Sequence, residues 1–302
     1  MNNSQYMVNW ATLYEASSLQ LRAYCSLISI TGILGNVCVI RAFVSADEIR
    51  KLMGPASILI VSLAFLDLTA SLNMLPTMIF PRFLRALLKL PIICQFVSST
   101  FLLWYAGGGS AWHMVAIALD RYIAVTKPVW HRSHYSTFQV TIMCAFCHLM
   151  SIGVYSYIVY GHVNIDGGCY YDLKDVGPEF WKDIAVVELI CTVLIPTVLL
   201  LFFYGSILQS LSKSTSTSIK KAQRNVIKIM CFVCIIYWIC WSPNAIYYNL
   251  WSRNFVPEIP VIRDTLIATV YLNSCLNPVI YALSIPPFRK AMLPSFLMPL
   301  IK

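Results

Sequence analysis

Ionisable and strongly hydrogen-bonding side chains stand inside several apolar runs of this chain, where each costs free energy to bury. Asp67 lies in Ser62-Leu63-Ala64-Phe65-Leu66-Asp67-Leu68, and Asp120-Arg121-Tyr122 closes the next run. Glu188 stands in a later run that also holds Pro196 and Tyr204. Cys240-Trp241-Ser242-Pro243 and Asn273-Ser274-Cys275-Leu276-Asn277-Pro278-Val279-Ile280-Tyr281 occupy the last two, and Gly35-Asn36 the first. A carboxylate far from water needs a cation or several hydrogen-bond donors, so these positions are functional candidates by default. Each also has a plainer reading. A proline inside a span kinks it, a buried Trp packs, and Asp-Arg-Tyr at a helix end can be an interfacial ion pair with an aromatic anchor.

Other chemistries find less support. His113, His148 and His162 are scattered, and His131 and His134 fall in one connector. A membrane enzyme needs a His-Glu-x-x-His pattern or a facing Ser/Lys pair, and the sequence offers neither, so no catalytic residue is assigned. Cys144/Cys147 and Cys231/Cys234 have the C-x-x-C spacing of zinc and redox sites, but both pairs lie in helical apolar stretches, where packing is the expected role. The net charge of +9 comes without a basic cluster beside exposed aromatics on a polar segment. A nucleic-acid partner is therefore not expected, and the charge reads as a basic face against anionic lipid.

The elements that must position these residues follow from composition. Of 302 residues, 58% are hydrophobic and 12% charged, and the mean hydropathy is +0.69; a soluble domain carries roughly twice that charged share. Lipid gives a backbone no hydrogen-bond partners, so a span is a helix of about twenty mostly apolar residues. Seven stretches qualify, at 22–46, 54–80, 92–126, 138–161, 183–212, 221–251 and 261–284. The predicted fold is an all-α membrane protein, a bundle of seven transmembrane helices with a short amphipathic eighth helix beginning at Pro286. No internal repeat, paired broken helix or ring of charge points to a transporter or channel.

Lys and Arg are more numerous on one side of these stretches, which places the amino terminus outside. Asp166, Asp172, Asp175, Glu179 and Asp183 then make the outer side acidic, and Asn2 of the Asn2-Asn3-Ser4 sequon is a glycosylation candidate. Residues 1–21 are expected to form an extracellular tail without signal-peptide pattern, 22–284 the seven-helix domain, and 285–302 a cytoplasmic surface helix and tail. The expected location is the plasma membrane.

Taken together, in this order and on successive helices, these motifs resemble the rhodopsin-like (class A) G-protein-coupled receptors from about residue 20 to 292. The resemblance implies that Arg121, held by Asp120 in the silent state, swings toward Tyr204 and Tyr281 as the sixth helix moves outward about the Pro243 kink, with Trp241, Asn277 and Pro278 as further switch residues and Tyr122 completing the Asp-Arg-Tyr motif. A cytoplasmic cleft would then admit a heterotrimeric G protein, with arrestin and a receptor kinase as further partners. It also implies convergence of Asp67, Ser110, Trp241, Asn273, Ser274 and Asn277 on a mid-membrane cavity that holds a sodium ion in this family; no other cofactor is expected. A water-filled polar network is the alternative. Gln223 aligns where many members carry an acidic clamp for the Arg, so raised basal activity is expected. Two positions depart from the pattern. The family's third-helix cysteine aligns with Phe96, whereas the chain has Cys94; the Gly107-Gly108-Gly109 run is expected to absorb the offset by a bulge or kink, leaving a Cys94–Cys169 disulfide. His148 aligns with the usual fourth-helix Trp, and a hydrogen bond to a neighbour is expected of it.

Counted from the motifs, Thr100, Leu103, Trp104, Gly107, Glu188, Thr192, Asn244, Tyr248, Arg263 and Tyr271 face the presumed outer pocket. Leu103 stands where amine receptors carry an Asp, and Tyr271 where opsins carry the retinal-binding Lys, so neither a biogenic amine nor light is the expected stimulus. Glu188 needs a partner, either a cationic ligand group or Arg263. An acidic outer loop with aromatic residues suits a short neuropeptide first and a small polar molecule second. A seven-helix relative that does not signal is the remaining alternative.

Overall fold

The computed structural model describes residues 19–45, 54–79, 87, 90–165, 168–171, 178–213, 217–284 and 286–292. Helices Leu19–Ser45, Ser57–Ile79, Phe101–Thr126 and Thr137–Gly161 form the first four spans. Pro178–Glu188 and Ile195–Lys213, joined by a π-helical turn at Leu189–Leu194, form the fifth; Thr217–Ser252 and Pro260–Ser284 are the sixth and seventh. A short helix, Pro128–His134, precedes the fourth, and Pro286–Met292 follows the seventh.

Six of these spans are long and apolar enough by composition to cross a membrane. The third is the exception. Gly107 to Ser110, His113 and Asp120 lower its hydropathy, and it can carry them because nearly its whole length is buried. It packs against the second, fourth and fifth spans, while the first closes on the second and the seventh. The polarity is that of a protein dissolved in lipid: Leu34, Phe65, Leu149, Leu201 and Leu283 are exposed, whereas Asn36, Asp67, Asn273 and Asn277 are buried.

Prolines open the backbone ladder, and neighbouring helices close it. Pro196 has no N–H for the carbonyl of Thr192 four residues back; that oxygen accepts from the Tyr237 hydroxyl of the sixth span at 3.1 Å. Pro278 likewise frees the carbonyl of Ser274, which accepts from Asn36 Nδ2 of the first span at 2.9 Å. Gly35 makes room for that approach, since a Cβ there would lie 2.9 Å from the Pro278 ring. The motif prolines thus become interhelical fasteners.

The all-α bundle carries a short hairpin that the sequence did not announce. After the fourth span, β1 (His162–Ile165) pairs antiparallel with β2 (Gly168–Tyr171), with Asn164 opposite Cys169. Cys169 forms a disulfide with Cys94, with the Cα atoms 5.4 Å apart. The cysteine offset is absorbed elsewhere than expected. Gly107 to Gly109 lie in uninterrupted helix; the irregularity sits upstream, in a π-helical turn at Ile93–Ser98 and at Thr100, whose φ is +61°. The three glycines serve close packing instead. Added Cβ atoms would come within 1.7 Å of Trp241, 2.5 Å of Tyr155 and 2.8 Å of Leu66 respectively.

Beyond the seventh span, the helix Pro286–Met292 is anchored by Phe288. Its ring is buried, 5.8 Å from Tyr281 and 5.8 Å from Phe43. Asn2 lies outside the described residues, as does most of the tail at 1–21, and of the Gln223 side chain nothing is described.

Candidate functional site

Three groups of side chains stand along the axis of the bundle. At the end opposite the disulfide, Asp120 is buried and its Oδ2 lies 2.9 Å from Arg121 Nε. His131, from the short helix that follows, brings Nε2 to 3.4 Å from Asp120 Oδ1. Tyr135 is buried beside them, and burial together with the Asp120 carboxylate holds its phenol above the usual range. Tyr122 turns aside to pack on Phe202 and Phe203 of the fifth span. Tyr204 and Tyr281 are buried nearby, with the Cys234 thiol 3.8 Å from the Tyr204 hydroxyl. Arg121 therefore pairs with its chain neighbour and with neither tyrosine. His131 was not singled out from the sequence; only the helical turn after Lys127-Pro128 folds it back onto Asp120.

In the middle, the second, third and seventh spans converge on Asp67. Asn277 Nδ2 donates to Asp67 Oδ2 at 2.8 Å, and Ser110 Oγ lies 3.4 Å from Oδ1, with the Ala106 carbonyl as its nearer acceptor at 2.9 Å. Ser274 supplies a further hydrogen bond to the carboxylate. Asp67, Ser110, Asn273, Ser274 and Asn277 are all buried. Among the described residues, the side-chain oxygens of Asn273 and Asn277 have no hydrogen-bond partner, nor does the Trp241 indole nitrogen. One carboxylate, two hydroxyls and two unmatched amide oxygens suit a hard monovalent cation such as sodium better than a soft transition metal.

A second polar cluster, buried at His113 and half-buried at Ser62, Tyr105 and His148, lies between the second, third and fourth spans, and it unites histidines that looked scattered in the sequence. His113 and His148 come to 5.1 Å between ring centroids. His113 Nδ1 faces the Gly109 carbonyl at 2.8 Å, so with neutral rings it must carry the proton. Its Nε2 then accepts from the Ser62 hydroxyl at 2.8 Å. That hydroxyl has one proton, so His148 Nε2 must donate to Ser62 Oγ at 3.0 Å. His148 Nδ1 accepts in turn from Tyr105 at 2.7 Å. Every proton in the relay has one possible placement. His148 does make the hydrogen bond expected of it, but the relay joins residues from three helices and no spacing within one stretch reveals it.

Toward the disulfide end, Leu103, Glu188, Thr192, Asn244 and Tyr271 are buried, and Trp104 and Tyr248 are half-buried. Tyr155 donates to Glu188 Oε1 at 3.3 Å. Two expectations are corrected here. Arg263 is not the partner of Glu188: its guanidinium pairs with Glu258 and, at 2.9 Å, with Asp264. Thr100 is turned into its own helix end, where its hydroxyl accepts from Trp104 Nε1 at 3.0 Å and donates to the Ser99 carbonyl at 2.5 Å. Tyr248 stacks on Trp251 at 5.7 Å.

Comparison with known proteins agrees with this arrangement. The family described as "7 transmembrane receptor (rhodopsin family)" matches residues 35–281. The chain is similar to trace amine-associated receptor 1 of Macaca mulatta, with 26% identity covering 94% of this chain and 88% of that protein. It is also similar to galanin receptor 2a of Danio rerio, at 24% identity over 96% and 81% of the two chains. Rhodopsin of Enteroctopus dofleini matches at 24% identity over 90% and 64%. With the family's match spanning every helix from Gly35 in the first to Tyr281 in the seventh, the chain belongs to the rhodopsin family of seven-transmembrane receptors.

Proposed function

We propose that this receptor sits in the plasma membrane with its amino terminus outside, binds an extracellular ligand at the disulfide end and activates a heterotrimeric G protein at the Asp120–Arg121 end. The observation that carries the reading is the Asp120–Arg121 pair, buried on the acid's side and steadied by His131. An arginine held by its neighbour is one of two discrete packings that a ligand and a G protein can bias. Release toward Tyr204 and Tyr281, with outward motion of the sixth span about Pro243, supplies the other. The disulfide supports the orientation, since such bonds persist on the oxidising side. Asn2 would then be available for glycosylation, and a receptor kinase and arrestin would meet the opposite face.

The ligand we favour is a short neuropeptide; galanin receptor 2a among the relatives is compatible with it. A small polar molecule is the second reading, favoured by the depth of Glu188. A sodium ion at Asp67, Ser110, Asn273, Ser274 and Asn277 would hold the silent state, and the unmatched amide oxygens support it. The test is nucleotide exchange on a panel of purified G proteins, with the receptor in lipid discs and a fractionated peptide extract added. Exchange raised by one fraction and lost in Arg121→Ala is expected. Absence of exchange with every partner from folded protein would identify a non-signalling relative.

A further inference from the structure

We infer that Glu188 is the seat of an organic cation: an ammonium group of the ligand binds its carboxylate against a wall of aromatic rings from the third, fourth and sixth spans. The inference deepens the ligand site proposed above and rests on that placement, but not on coupling to a G protein.

Glu188 is only 6% exposed. Its one hydrogen-bond donor is the Tyr155 hydroxyl at 3.3 Å, long for a bond to a carboxylate, and Oε2 has no donor among the described residues. Several basic groups among the described residues are committed elsewhere. Arg263 serves Glu258 and Asp264, Lys182 serves Glu179, and His113 and His148 belong to the Ser62 relay. A buried carboxylate without a counter-charge is costly to desolvate, and a ligand cation would offset that cost.

The surroundings select the kind of cation. Tyr155 and Trp104 stack at 6.4 Å, Trp104 meets Trp241 edge-on at 5.9 Å, and Trp241 stacks on Tyr237 at 5.7 Å. Tyr237 returns the chain of rings to its start, because its hydroxyl donates to the Thr192 carbonyl and the Thr192 hydroxyl donates to the Glu188 carbonyl. The chain of rings therefore starts at the carboxylate, through Tyr155, and ends on the backbone of the same stretch of the fifth span. Aromatic faces attract ammonium groups and repel anions, and a neutral ligand would leave the carboxylate unpaired. Trp104 keeps some exposed surface. Leu103, buried on the third span, offers no competing charge, so the cation is read from the fifth span instead. The ammonium can belong to a free small amine or to a lysine or terminal amine of a peptide.

The test uses the purified full chain in lipid discs without G protein, following the unfolding midpoint and equilibrium binding. The probes are phenethylammonium, its neutral counterpart phenethyl alcohol, tetramethylammonium and an amidated tetrapeptide with one lysine. The ammonium probes should raise the midpoint and the alcohol should not. Glu188→Gln should weaken ammonium binding at least tenfold, and Glu188→Asp should restore part of it. Trp104→Leu, which removes a ring and keeps the charge, should weaken the ammonium probes more than the alcohol; it stands in if Glu188→Gln does not fold. Preference for phenethylammonium over the lysine peptide assigns a free amine, and the reverse assigns a peptide. Equal shifts by alcohol and ammonium, unchanged ammonium binding in Glu188→Gln, or no response to any ammonium probe would overturn the inference. Failure of nucleotide exchange with these binding results intact would instead count against the proposed signalling.

Discussion

At the scale of single residues, Gly107 has the least freedom to change. A methyl group there would occupy the place of the Trp241 ring, so Gly107→Ala forces that indole to move. Overpacking of this kind costs about 1–3 kcal/mol, and the moved ring should also change ligand-independent nucleotide exchange. Gly153 supplies the control, because nothing lies within 4 Å of its added Cβ. Gly153→Ala in mid-helix is expected to hold or raise the unfolding midpoint. A fall for Gly153→Ala as large as for Gly107→Ala would show that packing on Trp241 is not the cause. His162, at the foot of the hairpin, gives a pH dependence. Burial pushes its imidazole from 6.5 down to about 4. The unfolded chain therefore takes up a proton first as the pH falls, and stability is full above about 6.5 and declines toward 4. The loss is at most about 3 kcal/mol. His162→Asn should flatten the midpoint over that window, and an unchanged slope would place the titration elsewhere.

At the scale of elements, the seam between the second, third and fourth spans depends on the proton order of its relay. Ser62→Ala leaves His113 Nε2 and the His148 Nε2–H both unmatched, at about 1–3 kcal/mol for each buried group. Tyr105→Phe leaves a single acceptor, His148 Nδ1, unmatched and should lower the unfolding midpoint less. In the double variant His148 can change tautomer or turn, so the two losses should fall short of adding. Strict additivity would mean that the hydrogen bonds act singly. The prolines make a parallel case. Tyr237→Phe strips the partner from the Thr192 carbonyl, which Pro196 cannot serve, so the fifth and sixth spans lose a fastener where the ligand is proposed to act.

At the scale of the whole molecule, the bundle sets the two proposed sites apart along its axis, and the Asp67 group stands between them. Gln223→Glu, restoring an acidic residue at the foot of the sixth span, should lower basal exchange if a missing clamp keeps it high; unchanged basal exchange would remove that explanation. Replacing sodium by potassium at constant ionic strength should lower the unfolding midpoint of the wild type and not of Asp67→Asn. Equal effects on both would favour a water-filled network around Asp67.

The sequence alone determined the number of spans, the class and the identities of the polar residues within the bundle. Lipid forces long apolar helices, and burial of Asp67, Asp120, Asn273 or Asn277 is costly enough for residue type to mark the site. Tertiary structure decided which of these groups meet. The Ser62–His113–His148–Tyr105 relay, the freed proline carbonyls and the ring circuit on Glu188 each join two or more helices, so spacing within one stretch carries no trace of them. The offset of Cys94 could likewise not be located from composition. A glycine run permits a bulge but does not require one, and here close packing on Trp241, Tyr155 and Leu66 holds Gly107 to Gly109 helical, so the chain deviates at Ile93–Ser98 instead.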